Sequence, residues 1–154
     1  MIYESNTGVI SPDTVEITGR PDIEVGWIYR DAVFSPPLAE RQRLKLLQLQ
    51  MYAEEEQRKG VMTSVGLRMK YGSQDCFLVD GAIRYSELKG LPAVVKLIEA
   101  DGTEHTGTVF IADGKTILIE QFEAAYALEE LVKTIEQQIR AAETIEALDR
   151  IVWE

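Results

Sequence analysis

The sequence predicts an α+β protein: small antiparallel sheets and hairpins, with a long helix in the N-terminal half and a long C-terminal helix packed together. Three observations predict it. Between residues 121 and 151, Leu128, Val132, Ile135, Ile139, Ala142 and Ile145 recur at spacings of four and three, which places them on one side of a helix. A second apolar stretch is bounded by Pro37 and Gly60, residues that suit the two ends of a helix. Between the two, residues 61–120 alternate apolar and polar positions and are punctuated by Asp-Gly pairs, the chemistry of tight turns.

Residues 1–35 read as an extended arm. Val15 and Ile17 alternate with Glu16 and Thr18 as in a half-buried strand, and Gly19-Arg20-Pro21-Asp22 marks a turn. Trp27, Tyr29 and Phe34 favour strands, and Arg30-Asp31 can turn a tight hairpin between them. A two-stranded hairpin is marginal in water by itself, so the arm has to lie on its own domain, a sister subunit or another protein.

Residues 36–154 form the remainder, an α+β domain with a helix at 37–59, a β-rich part at 61–120 and a helix at 121–151. In the first helix Leu44, Leu47 and Met51 make a stripe that Leu46, Leu49 and Ala53 widen. Arg58 and Lys59 lie where the helix dipole favours cations. The stripe can pack on the C-terminal helix or form a coiled coil between chains, and the heptad fit is too short to choose. Val65, Leu67, Met69 and Tyr71 alternate as a strand, Gly72–Asp75 is a turn, and Cys76–Val79 a second strand. Ala82–Lys89 is a short helix stopped by Gly90. A three-strand meander follows at 94–99, 103–111 and 115–120, turned by Asp101-Gly102 and Asp113-Gly114. The closing helix, about 30 residues and about 45 Å long, needs a helical partner inside or outside the chain.

The 154 residues carry a net charge of −10, a field that repels phosphate backbones and argues against nucleic-acid binding. Cys76 is the sole cysteine, so no intramolecular disulfide forms. The N-terminus lacks the basic and apolar regions of a secretory signal, and nothing reaches the length of a membrane span. His105 is the only histidine and has no partners at a spacing that suggests a triad or metal site; it reads as a surface or sheet-face residue. Cys76, beside Phe77 and Asp75, reads as a buried small hydrophobe rather than a reactive thiolate. Glu54-Glu55-Glu56 point in different directions on a helix and read as a solvated face. The expectation is a protein with no catalytic residues, metal or cofactor.

The run Val25-Gly26-Trp27-Ile28-Tyr29-Arg30-Asp31-Ala32-Val33-Phe34-Ser35-Pro36-Pro37 resembles a segment frequent in small phage tail proteins, where it precedes a helix. After it come a charged helix ending in Arg58-Lys59-Gly60, a strand with Val65-Gly66-Leu67-Arg68, the short helix, the meander, and a long helix containing Ile139-Arg140-Ala141-Ala142-Glu143-Thr144-Ile145. This order over about residues 20–150 is similar to the DUF4376 family, found beside tail-fibre genes and in tail-fibre assembly proteins of phages and prophages. The resemblance implies a non-enzymatic structural or accessory subunit of the tail fibre or baseplate, assembled in the host cytoplasm and carried in the virion tail. A tail-fibre assembly chaperone absent from the mature particle is the alternative. A small-ligand-binding or regulatory protein of the infected cell is a third reading, and it requires a pocket with converging polar groups.

The expected partners are a fibre or baseplate protein and identical copies, with no nucleic acid and no membrane insertion. The expected docking residues are the aromatic anchors Trp27, Tyr29 and Phe34 and the helix stripe Leu128, Val132, Ile135 and Ile139.

Overall fold

The computed structural model describes residues 28–30, 33–35 and 37–153. Among them helices and two-stranded antiparallel sheets are mixed, an α+β protein. The expected strand around Val15 and Ile17, and Trp27, lie outside the described residues. Strands β1 (Ile28–Arg30) and β2 (Val33–Ser35) form the expected hairpin, with Tyr29 opposite Phe34 and Arg30 opposite Val33.

Helix α1 spans Pro37–Lys59, with Glu40 in its first turn and Arg58 and Lys59 in its last, each complementing the dipole. The Gly60 N–H still reaches Glu56 O at 3.2 Å before the chain turns at φ 71°. The Leu44, Leu47 and Met51 stripe is exposed, and Leu49 is the buried leucine of this helix. The strand expected from Val65 to Tyr71 is confined to β4 (Arg68–Met69), paired with β3 (Val61–Met62). Val65 lies before it in a tight turn, where Thr63 N–H donates to Leu67 O at 2.8 Å and Gly66 N–H to Thr63 O at 2.9 Å.

Helix α2 covers Ser73–Lys89 and corrects two expectations at once. Gly72–Asp75 is no strand-linking turn, and Cys76–Val79 is no strand. The buried residues Cys76, Val79, Ile83 and Ser86 follow a helical period, and a four-residue apolar run taken alone fits strand or helix equally. Asp80-Gly81 lies inside this helix, with Asp80 paired to Arg84 at 2.9 Å. Gly90, at φ 67°, ends it.

Strands β5 (Ala93–Ile98) and β6 (Glu104–Val109) make the expected hairpin, in register from Ala93 opposite Val109 to Ile98 opposite Glu104. Gly102, at φ 86°, and the 2.9 Å hydrogen bond from Thr103 N–H to Asp101 Oδ1 form its turn. The third meander strand, 115–120, is absent. Helix α3 begins at Ile111 and runs to Ala141, so Asp113-Gly114 is its first turn rather than a hairpin loop. Two features explain the helix. Gly114 N–H bonds Phe110 O at 2.9 Å, and the missing side chain of Gly114 admits Ile83, whose Cγ1 would be 3.1 Å from a Cβ there. Gly114, Ile117, Gln121 and Leu128 are then all buried on one helical face.

The closing helix does not reach residue 151. It stops at Ala141, and Thr144 caps a separate helix α4 (Ile145–Asp149) by accepting the Ala147 N–H at 3.1 Å. The side chain breaks the helix where the sequence has neither Gly nor Pro.

The described residues fall into two compact units, Leu49–Thr134 and the described residues up to Gln48 together with Ile135–Trp153. The Leu49–Thr134 unit centres on Met69, Val79, Ile83, Ala93, Val95, Leu97, Val109 and Ile117. In the other, Gln42 Nε2 donates to Ile139 O and Ala142 O, both at 3.0 Å, and Lys45 Nζ to Leu148 O at 2.7 Å. These bonds tie α1 to the end of α3 and to α4. Lys45 Nζ also stands 5.7 Å from the centre of the Trp153 ring, a cation–π distance.

Candidate functional site

The backbones of Tyr29 and Phe34 face each other across the β1–β2 hairpin, while their side chains, and all of Trp27, lie outside the described residues. On α3 the expectation is corrected. Leu128, Ile135 and Ile139 are buried by the chain itself, Ile139 completely, and Val132 is half-buried. Ile139 has no accessible area and Leu128 and Ile135 keep under a tenth of theirs, so these three belong to the core rather than to an exposed docking stripe.

Apolar side chains do face outward elsewhere in the Leu49–Thr134 unit. On α2 the inward positions are Cys76, Val79, Ile83 and Ser86. On the opposite side Phe77, Tyr85 and Leu88 are 70%, 60% and 85% exposed. Gly81 lies between them, with open space where its Cβ would be. The spacing from Phe77 through Gly81 to Tyr85 and Leu88 follows the helical period, so these residues share a face. On α3, Ile119, Phe122 and Tyr126 form a similar outward row.

Beside the core of the same unit is a groove of about 310 Å³. Met69 and Lys70 supply one wall at the end of β4, and Asp75, Leu78 and Val79 another from the start of α2. Val94, Val95, Lys96 and Ile98 of β5, with Glu104 and Thr106 of β6, form the sheet side. Helix α3 contributes Gln121. Two lysines and two carboxylates are distributed around it. Lys70 Nζ donates to Glu104 Oε1, and this hydrogen bond and the ammonium charge hold the Glu104 carboxyl below its usual range. The sheet side is positioned by the β5–β6 register, which sets Lys96 opposite Thr106 and Ile98 opposite Glu104.

Gln121 is the exceptional residue of the groove. It is fully buried on the face of α3 that otherwise carries Ile117 and Leu128. Its Nε2 donates to Lys70 O at 2.6 Å, while its Oε1 has no hydrogen-bond partner. A buried acceptor without a protein partner costs about 1–3 kcal/mol. The apolar side chains of Met69, Leu78, Val79 and Val94 can enclose an apolar group. Reading 115–120 as a strand hides this residue. The helical spacing Ile117–Gln121–Leu128, with one amide among apolar positions, is the sequence signal that finds it.

The other residues singled out from sequence fall as follows. Cys76 is buried, with Sγ 3.8 Å from Tyr71 O; burial first, then the Asp75 charge, push its thiol pKa up. His105 is exposed on β6 opposite Leu97, its Nδ1 3.5 Å from Glu99 Oε1. No described helix is long and apolar enough to cross a membrane.

Compared with known proteins, the chain matches no family model, and no curated protein or solved structure is significantly similar to it.

Proposed function

We propose that this protein is a non-enzymatic bacteriophage tail protein, a structural or accessory subunit that docks on a tail-fibre or baseplate protein and resides in the virion tail. The resemblance of residues 25–37 and of the order of elements to small phage tail proteins supplies the biological setting. The observation that carries the docking role is the outward face of α2. Phe77, Tyr85 and Leu88 turn away from the core and remain mostly exposed, and aromatic and large apolar side chains gathered on one face are the material of binding hot spots. The face replaces the Leu128–Ile139 stripe as the docking candidate, and the β1–β2 hairpin remains a second contact.

Quantitative mass spectrometry of purified particles, counted against the major tail protein, tests the reading. A fixed stoichiometric presence is the expected result. Absence from particles, with the protein abundant in infected cells, would reject residence in the tail and assign it to fibre assembly as a transient chaperone. Absence from both would reject the phage setting.

A further inference from the structure

We infer that the free edge of β6 is where a second copy of this chain adds its own β6, antiparallel and centred on Thr106, so that two β5–β6 hairpins join as one continuous sheet. The site is separate from the outward α2 face and does not depend on the docking role. The turn fixes which backbone groups are available. Glu99 N–H donates to Thr103 O at 2.9 Å, and in an antiparallel ladder the pairs that exchange hydrogen bonds recur at every second residue. In the observed register those pairs are Leu97 with His105, Val95 with Gly107 and Ala93 with Val109. The N–H and C=O groups of Glu104, Thr106 and Thr108 therefore point away from β5. Among the described residues no strand pairs with that edge, and Glu104, Thr106 and Thr108 are exposed, so these groups are open to solvent and to a partner.

Edge strands are commonly guarded by a proline, a lysine or a bulge, and β6 has none of these between Glu104 and Val109. The edge is also complementary to itself. A two-fold axis at Thr106 sets Thr106 opposite the second copy's Thr106 and Glu104 opposite the second copy's Thr108, and each such pair exchanges two hydrogen bonds. No like charges then meet directly, whereas a parallel alignment in register would bring Glu104 beside its counterpart. Between these pairs the exposed His105 stands opposite the second copy's Gly107, in the closer, non-hydrogen-bonded type of pair. There Leu97 already closes over the missing side chain, with its Cδ1 2.5 Å from where a Cβ of Gly107 would be, and it offers the ring an apolar surface. Complementarity under a two-fold axis is what selects a second copy over an unrelated strand.

Analytical ultracentrifugation of the full-length protein, with amide hydrogen exchange followed over the same concentrations, tests the inference. The expected result is a reversible dimer. The amides of Glu104, Thr106 and Thr108 gain protection as it forms, while those of His105, Gly107 and Val109 are protected at every concentration. Thr106→Pro removes an outward N–H and leaves the bonds to β5 in place, so it is expected to raise the dimer dissociation constant by about tenfold or more. If that variant does not fold, Thr106→Lys takes its place, because the side chain is exposed and two like charges then oppose each other at the axis. A protein that stays monomeric at millimolar concentration would overturn the inference. Outward amides protected in the monomer would overturn it too, because another part of the same chain would then cover the edge. So would a dimer that these substitutions leave intact, which would place the contact elsewhere, as on Phe77, Tyr85 and Leu88.

Discussion

Gly60 shows how one residue can decide whether two elements meet. It stops α1 at φ 71°, a conformation that costs other residues about 1–2 kcal/mol. A Cβ there would also lie 2.5 Å from Met69 O and 2.6 Å from Ile98 Cδ1, and the carbonyl belongs to backbone that cannot swing aside. Gly60→Ala is therefore expected to lower stability by more than the conformational cost alone, read as a fall in the urea midpoint. A change smaller than about 1 kcal/mol would mean that the chain relaxes freely at this point. The stop itself is legible in the sequence, because Arg58-Lys59-Gly60 is a helix-ending pattern. The close approach of Met69 and Ile98 is not, since it depends on where two later strands settle. Cys76 illustrates the same division. Its chemical character follows from Phe77 and Asp75 beside it, whereas its place on a helix rather than a strand comes from residues that pack against it.

At the level of elements, α1 and the β5–β6 hairpin follow from local signals: Pro37 and Gly60 for the helix, Asp101-Gly102 for the hairpin. Helix α2 and the start of α3 do not, because Asp80-Gly81 and Asp113-Gly114 imitate turns. In both cases tertiary packing overrides the local preference, burying Val79 and Ile83 from one helix and Gly114 and Ile117 from the other. The groove is not legible in the sequence for the same reason, since its lining comes from β4, α2, β5, β6 and α3, and the starts of the two helices carry strand-like patterns.

The two faces of α2 give a direct test. Ile83→Ala is expected to cost about 2–5 kcal/mol, because it empties a place in the core. Leu88→Ala, on the outward face, is expected to stay within about 0.5 kcal/mol. Chemical denaturation of both variants measures the difference, and equal losses would contradict the assignment of inner and outer faces.

For the molecule as a whole the charge of −10 makes its carboxylates the main source of pH dependence. Three are held below the usual range by hydrogen bonds in the Leu49–Thr134 unit: Asp101 by Thr103, Glu104 by Lys70 and Glu120 by Ser64. Each binds a proton less readily folded than unfolded, so its stabilisation is present above the ordinary carboxylate range and is lost as pH falls through the lowered value. Thermal melting from pH 7 to 3 is therefore expected to show Tm falling below about pH 4.5. Relief of repulsion among the excess negative charges acts in the opposite direction. Glu104→Gln separates the two, because it removes one paired carboxylate while changing the net charge by a single unit. A shallower acid slope in that variant is the expected result, and an unchanged slope would assign the pH dependence to other groups.

The division into two units also orders events in time as the chain is made. Leu49–Thr134 is one uninterrupted stretch, so everything it packs against within itself is present once Thr134 has been synthesised. The other unit is closed by bonds between residues 97, 100 and 103 positions apart, from Gln42 to Ile139 and Ala142 and from Lys45 to Leu148. Residues 37–48 must therefore leave the ribosome and wait, with Gln42 and Lys45 still without these bonds, while the whole intervening stretch is translated. Synthesis at roughly 5–20 residues per second makes that interval several seconds long, ample for the inner stretch to fold first.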